Sequence, residues 1–164
     1  HTQQLFNELQ RILKPSGCLL FSTFGVDTLT ELKQSWSTIS QSPHVNNFTD
    51  MHDLGDAMLV SGLDDPVMDS ETIIMEYTKL ADLFKDLKQI GAQNHLHKRS
   101  RGLTTISKFK TMQIAYEQFK LSNGKYPASY EVVYGHAWGK ELTVAVKKMK
   151  RNTSTQPINF VKFS

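Results

Sequence analysis

Chemistry in this chain would have to come from a short list of side chains. Arg99 and Arg101 stand two positions apart, and each guanidinium fork can hold a carboxylate through paired N–H groups. Lys98, Lys108 and Lys110 extend the same basic stretch, and charge alone does not choose among an anion grip, a docking surface and a solvated face. His44 and His52 are separated by a predicted loop and helix start, while His95 and His97 have no third ligand type beside them, so the spacing predicts no tetrahedral metal site. Cys18 is the single cysteine and sits in the apolar run Cys-Leu-Leu-Phe. It is expected to behave as a small buried hydrophobe, and a disulfide framework is excluded.

These residues need elements to place them. Leu5, Leu9, Ile12 and Leu13 recur at helical spacing, with Pro15 and Gly17 as the stop signals that follow. Cys18 to Phe24 is almost continuously apolar, as in a strand covered on both faces. Asp27 or Thr28 could cap a helix with the stripe Leu29, Leu32, Trp36 and Ile39. Asp50 caps a second, with Met51, Leu54, Met58 and Leu59 facing inward and Gly62 at its end. A β-branched strand is expected over Glu71 to Tyr77, then a helix marked by Leu80, Leu83, Phe84, Leu87 and Ile90 and stopped by Gly91. Residues 93–106 read as a loop, and Phe109, Met112, Tyr116 and Phe119 as a helix ended by Asn123-Gly124. In Tyr130 to Trp138, Tyr134, His136 and Trp138 share one parity. Aromatics on a strand are core residues first, although His136 would reach a ligand if it lay at an open strand end.

Composition sets the class. The 164 residues carry 39% hydrophobic and 21% charged side chains, ordinary values for one globular domain. No run approaches the roughly 20 apolar residues of a membrane span, and no signal-peptide pattern opens the chain, so a cytoplasmic protein is expected. The net charge of +3 conceals polarity along the chain. From Asp27 to Gly91, twelve acidic residues face four basic ones, whereas from Lys98 to Lys125 seven basic residues face only Glu117. The basic loop of residues 93–106 lacks the interleaved aromatics of nucleic-acid binders. Residues 1–140 form one unit on this reading, and 141–164 a weakly patterned tail.

The wording of four segments goes further than periodicity. LKPSGCLLFSTFGVDTLTELKQSW at 13–36, HVNNFTDMHDLGDAMLVSGLDDPVMD at 44–69, RSRGLT at 99–104 and YEVVYGHAW at 130–138 closely resemble the carboxy-terminal half of the malonyl-acyl-carrier-protein O-methyltransferases of biotin synthesis. The resemblance lapses after Trp138. It implies an α/β fold, the C-terminal portion of a seven-stranded doubly wound, Rossmann-like class I S-adenosylmethionine-dependent methyltransferase. Gly17 to Phe24 would then be its fifth strand, Glu71 to Tyr77 its sixth, and Tyr130 to Trp138 an antiparallel seventh between them. The first four strands and the glycine-rich cofactor turn would precede residue 1. The chain alone is expected neither to bind S-adenosylmethionine well nor to turn over, and its fifth-strand edge should pair with a second copy in a homo-oligomer.

The resemblance also assigns candidate roles. Thr23, Phe24, Gly25 and Asp27 would stand at the carboxyl end of the fifth strand, where ligands of open α/β sheets lie, with a helix cap as the competing role for Asp27. Arg99, Arg101 and His136 join them as substrate-binding candidates. Lys98, Arg99, Arg101, Lys108 and Lys110 are candidates for docking the acidic acyl-carrier protein. Two other readings compete: a relative of this fold serving respiratory-complex assembly, including protein-arginine hydroxylation, and a non-catalytic docking module for an acidic partner.

Overall fold

The computed structural model describes residues 2–39, 45, 48–91 and 105–140. The elements run α1 (Thr2–Ile12), β1 (Cys18–Phe24), α2 (Thr30–Ser37), α3 (Met51–Val60), β2 (Asp64–Tyr77), α4 (Leu80–Gln89), α5 (Ile106–Tyr116), a 3-10 turn at Glu117–Phe119, and β3 (Tyr126–Trp138). The strands form one sheet in the order β1-β3-β2. β3 is antiparallel to both neighbours, pairing Phe24 with Val132 and Tyr77 with Tyr126. The last strand therefore lies between the other two, which run parallel to each other.

One face of the sheet carries Leu19, Phe21, Val133, Ala137 and Met68, because paired residues share a face. α1 and α3 cover it through Phe6, Leu54, Ala57 and Met58. The stripe of α1 is thus Phe6, Leu9 and Leu13, while Leu5 and Ile12 are exposed. This corrects the expected stripe: Leu5, Phe6 and Leu9 are all apolar, and only the docking of α1 on α3 decides which side turns inward. Leu59, expected inward, is also exposed, and Ala57 takes its place. The opposite face meets α2, α4 and α5 in a second cluster that includes Leu32, Trp36, Leu83, Met112, Tyr116 and Tyr130.

Two strands start earlier than the pattern suggests. β2 begins at Asp64 rather than Glu71, although Asp65-Pro66 reads as a breaker. β2 is an edge strand, where a residue without N–H is tolerated, and its register shifts between Asp64 and Val67. β3 begins at Tyr126 rather than Tyr130, with Pro127 opposite Glu76. β1 is the other edge, and Leu20 on it is 75% exposed. Cys18 is exposed too. That corrects its expected burial: Cys18 lies at the start of β1, six residues from the Phe24 end where the α2, α4 and α5 cluster packs on the same face.

Beyond the reach of β1, the open edge of β3 is satisfied group by group. Gly25 N–H donates to Glu131 O at 2.9 Å, and Leu29 N–H to Ser129 O at 2.6 Å. Thr28 Oγ1 both donates to Glu131 O and accepts from Glu131 N–H. Glu31 accepts from Ser129 N–H at 3.1 Å and Ser129 Oγ at 2.5 Å. Tyr116 hydroxyl donates to Pro127 O at 2.7 Å. Buried backbone groups need such partners, and the segment after β1 supplies them in place of a further strand. It follows that α2 starts at Thr30, with Leu29 in the left-handed region at φ 58°, and that neither Asp27 nor Thr28 is its side-chain cap. Asp50 does cap α3, accepting from His52 N–H at 2.8 Å.

Candidate functional site at the carboxyl end of the first strand

The four residues singled out at the carboxyl end of β1 lie together, but they do different things. Thr23 points to the face that carries Val133. Phe24 points to the other, its ring 5.7 Å from Phe48 and 5.8 Å from Tyr130. Gly25 is buried beneath the side chain of Glu131: a Cβ there would stand 2.2 Å from Glu131 Oε2. The same Oε2 accepts from Asp27 N–H at 2.8 Å. Asp27 offers its carbonyl to Thr30 Oγ1, and its carboxylate, with that of Glu131, faces the Lys33 ammonium. Lys33 Nζ donates to Val26 O at 2.6 Å, and partial burial lowers its pKa against the pull of the two carboxylates. The turn after β1 is therefore clamped by Glu131 and Lys33.

A cavity of about 330 Å³ opens beside Phe24. Ile73, Met75, Tyr130 and Val132 wall it from the sheet, and Asp86, Gln89 and Ile90 from α4 and its end. Its polar edge is formed by Tyr130, Tyr77 and Asp86. Burial raises the pKa of both phenols, which stay neutral donors. The walls suit an uncharged, largely apolar group, since Asp86 would repel an anion.

His136 is not part of this site. It pairs with Leu20 and Val67 near the amino ends of β1 and β2, about 13 Å along the strand from the level of Phe24 at 3.3 Å per residue. Antiparallel insertion of β3 reverses which end of it meets the ligand side, so the substrate role expected of His136 has no support in this geometry. Lys108 and Lys110 lie in α5 and are exposed. Lys98, Arg99 and Arg101 lie outside the described residues. Sequence reasoning missed Glu131, Lys33, Tyr77 and Asp86, because no local pattern links Asp27 to a residue 104 positions away.

The described glycines form no cradle for a cofactor. The space over Gly25 is filled by Glu131, over Gly135 by Phe21 and Met68, and over Gly17 and Gly139 by Leu13 and Lys14. Gly62, Gly91 and Gly124 are isolated, positive-φ residues at helix ends and a turn. Among the described residues there is thus no glycine-rich turn of the kind the resemblance implies for S-adenosylmethionine. Among those residues there is also no group of three or more His, Cys, Asp or Glu placed to hold a metal, and no helix is long and apolar enough to cross a membrane.

No family model matches the chain. Curated relatives do. It is 47% identical over 157 residues to malonyl-[acyl-carrier protein] O-methyltransferase 1 of Coxiella burnetii, covering 96% of this chain and 55% of the relative. It is 42% identical over 151 residues to the malonyl-[acyl-carrier protein] O-methyltransferase of Legionella pneumophila, covering 92% and 52%. The enzyme of that name from Xylella fastidiosa is 33% identical over 157 residues. An alignment covering 96% of the chain runs well past Trp138, which corrects the expectation that similarity lapses there. The chain spans about half the length of these relatives. Within that span, it is similar at 33–47% identity to proteins named malonyl-[acyl-carrier protein] O-methyltransferase.

Proposed function

We propose that the chain is the carboxy-terminal part of an enzyme that methylates the free carboxyl of a malonyl group carried on acyl-carrier protein, with S-adenosylmethionine as donor, in biotin synthesis. The observation that carries this reading is the identity of 42–47% to enzymes of that name across 92–96% of the chain. On this reading β1, β3 and β2 are the fifth, seventh and sixth strands of a seven-stranded sheet. The cofactor is held by the part of the longer protein that the chain does not span.

The malonyl carboxylate is ionised at neutral pH, so methyl transfer to it needs no general base. What the protein must supply is alignment and exclusion of water. Good orientation is worth about 7–11 kcal/mol, enough to make pocket geometry the main requirement. The turn after β1 contributes rigidity, because Glu131 and Lys33 hold its backbone from two sides. The cavity beside Phe24 suits the uncharged thioester side of the substrate. Its Asp86 directs the carboxylate elsewhere, and Arg99 and Arg101 remain the proposed grip for it. The test is incubation of the full-length protein with labelled S-adenosylmethionine and malonyl-acyl-carrier protein. A labelled, base-labile methyl ester is expected, and its absence overturns the assignment.

A further inference from the structure

α5 presents an outer face that the core does not use. Its inner face gives Met112 and Tyr116 to the cluster containing Tyr77 and Tyr130, the residues that edge the cavity. On the outside, Ile106, Lys110 and Ile114 fall at i, i+4 and i+8, one line along the helix. The two isoleucines are 77% and 73% exposed. Single exposed apolar residues are ordinary, but two large ones aligned on either side of a lysine form a contact stripe.

Charge sets the stripe apart from the rest of the basic region. Lys120 is engaged by Glu117 at 3.2 Å, and Lys125 by Glu76 at 3.0 Å. Lys108 and Lys110 make no ion pair among the described residues, and α5 carries no acidic side chain. The helix therefore shows uncompensated positive charge beside two apolar anchors. An acidic helix with a few apolar residues along its centre is the complementary surface, with opposite charges steering it in and apolar contact holding it.

Resting on the proposed function, we infer that the Ile106-Lys110-Ile114 stripe of α5, with Lys108 beside it, is where an acidic helix of the carrier protein docks. α5 is about 16 Å long at 1.5 Å per residue, enough for a single helix-on-helix contact of the small, transient class. The carrier then sits on the layer that edges the cavity, so its tethered acyl group is delivered to the Phe24 side of the sheet.

Two substrates separate this inference from the reading beneath it. Full-length protein is assayed with malonyl-acyl-carrier protein and with a small malonyl thioester of N-acetylcysteamine. If the parent protein methylates neither, the functional reading fails. If it methylates both, Lys110→Glu and the pair Ile106→Gln with Ile114→Gln should each raise KM for the carrier-bound substrate about tenfold, the effect of 1.4 kcal/mol. Kinetics with the small thioester should not move. High salt should weaken the parent's carrier binding but barely affect Lys110→Glu, while the isoleucine variants keep the parent's salt slope. Unchanged KM for the carrier substrate, or equal loss on both substrates, overturns the docking assignment. So does binding of the parent to phosphatidylglycerol vesicles that the isoleucine variants lose, together with unaltered carrier kinetics.

Discussion

Replacing Gly25 by alanine tests the clamp at the end of β1. The added Cβ would lie 2.2 Å from Glu131 Oε2, 2.3 Å from Cδ and 2.8 Å from Cγ. Glu131 sits on the central strand with its N–H and C=O both bonded to Thr28, so its backbone cannot retreat and the side chain must swing out. It then loses the Asp27 N–H, a hydrogen bond to a charged acceptor worth about 1.5–3 kcal/mol. Asp27 is exposed, and water recovers part of that loss. Against it stands the gain of about 0.4–1 kcal/mol from restricting the unfolded chain, since Gly25 is not among the positive-φ glycines. The net expectation is destabilisation by about 1–2 kcal/mol, read by urea denaturation of the full-length protein as a lower midpoint at unchanged slope. Glu131→Ala loses the same bond and should destabilise by a comparable amount. In the double variant the space over residue 25 is empty, so Gly25→Ala added to Glu131→Ala should be neutral or stabilising. The coupling is then about 1 kcal/mol or more. Strict additivity of the two single effects would refute the clamp.

Other consequences are open to measurement. Tyr116→Phe leaves Pro127 O without its donor and should destabilise by about 1–3 kcal/mol, whereas Phe119→Leu in the same cluster keeps that bond; equal urea midpoints for Tyr116→Phe and the parent would show that the hydroxyl does nothing. The Asp50 carboxyl is held below its ordinary value mainly by the backbone N–H of His52. Its contribution to α3 is therefore complete above the unfolded carboxylate pKa and is lost as pH falls through the lowered folded value. Asp50→Asn should make the acid limb of stability below about pH 4 shallower, and an unaltered limb on urea titration from pH 6 to 2.5 argues against the cap. The free edge of β1 with Leu20 outward should drive the 164-residue chain to pair with a second copy at micromolar concentration. Sedimentation of a clean monomer would remove that expectation.

Where local signals were sufficient, the elements were legible. Asp50 reads as a cap, and the Leu80, Leu83 and Leu87 stripe reads as the buried side of α4, because a cap and a 3.6-residue period are short-range properties of the chain. The left-handed glycines at 62 and 91 end α3 and α4 as expected. Boundaries failed where a neighbour overrides propensity. Pro66 and Pro127 are tolerated because each lies where the strand has an unpaired side.

The site divides along the same line. Thr23 to Asp27 could be placed from the sequence, since an apolar strand followed by glycine defines its own carboxyl end. Which residues press on that end could not: Glu131 and the group Tyr130, Tyr77 and Asp86 come from segments far from it in the chain. The same reversal that inserts β3 between β1 and β2 carries Glu131 to Gly25 and takes His136 to the far end. The amino-acid order by itself determined the helix stripes of α2 and α4 and the existence of three strands, all of which depend on residues close together in the chain. Only the tertiary structure decided the exposure of Cys18, the distance of His136 from Phe24 and the partners of Gly25, because long-range pairing is selected by the combined burial and hydrogen bonding of the whole sheet.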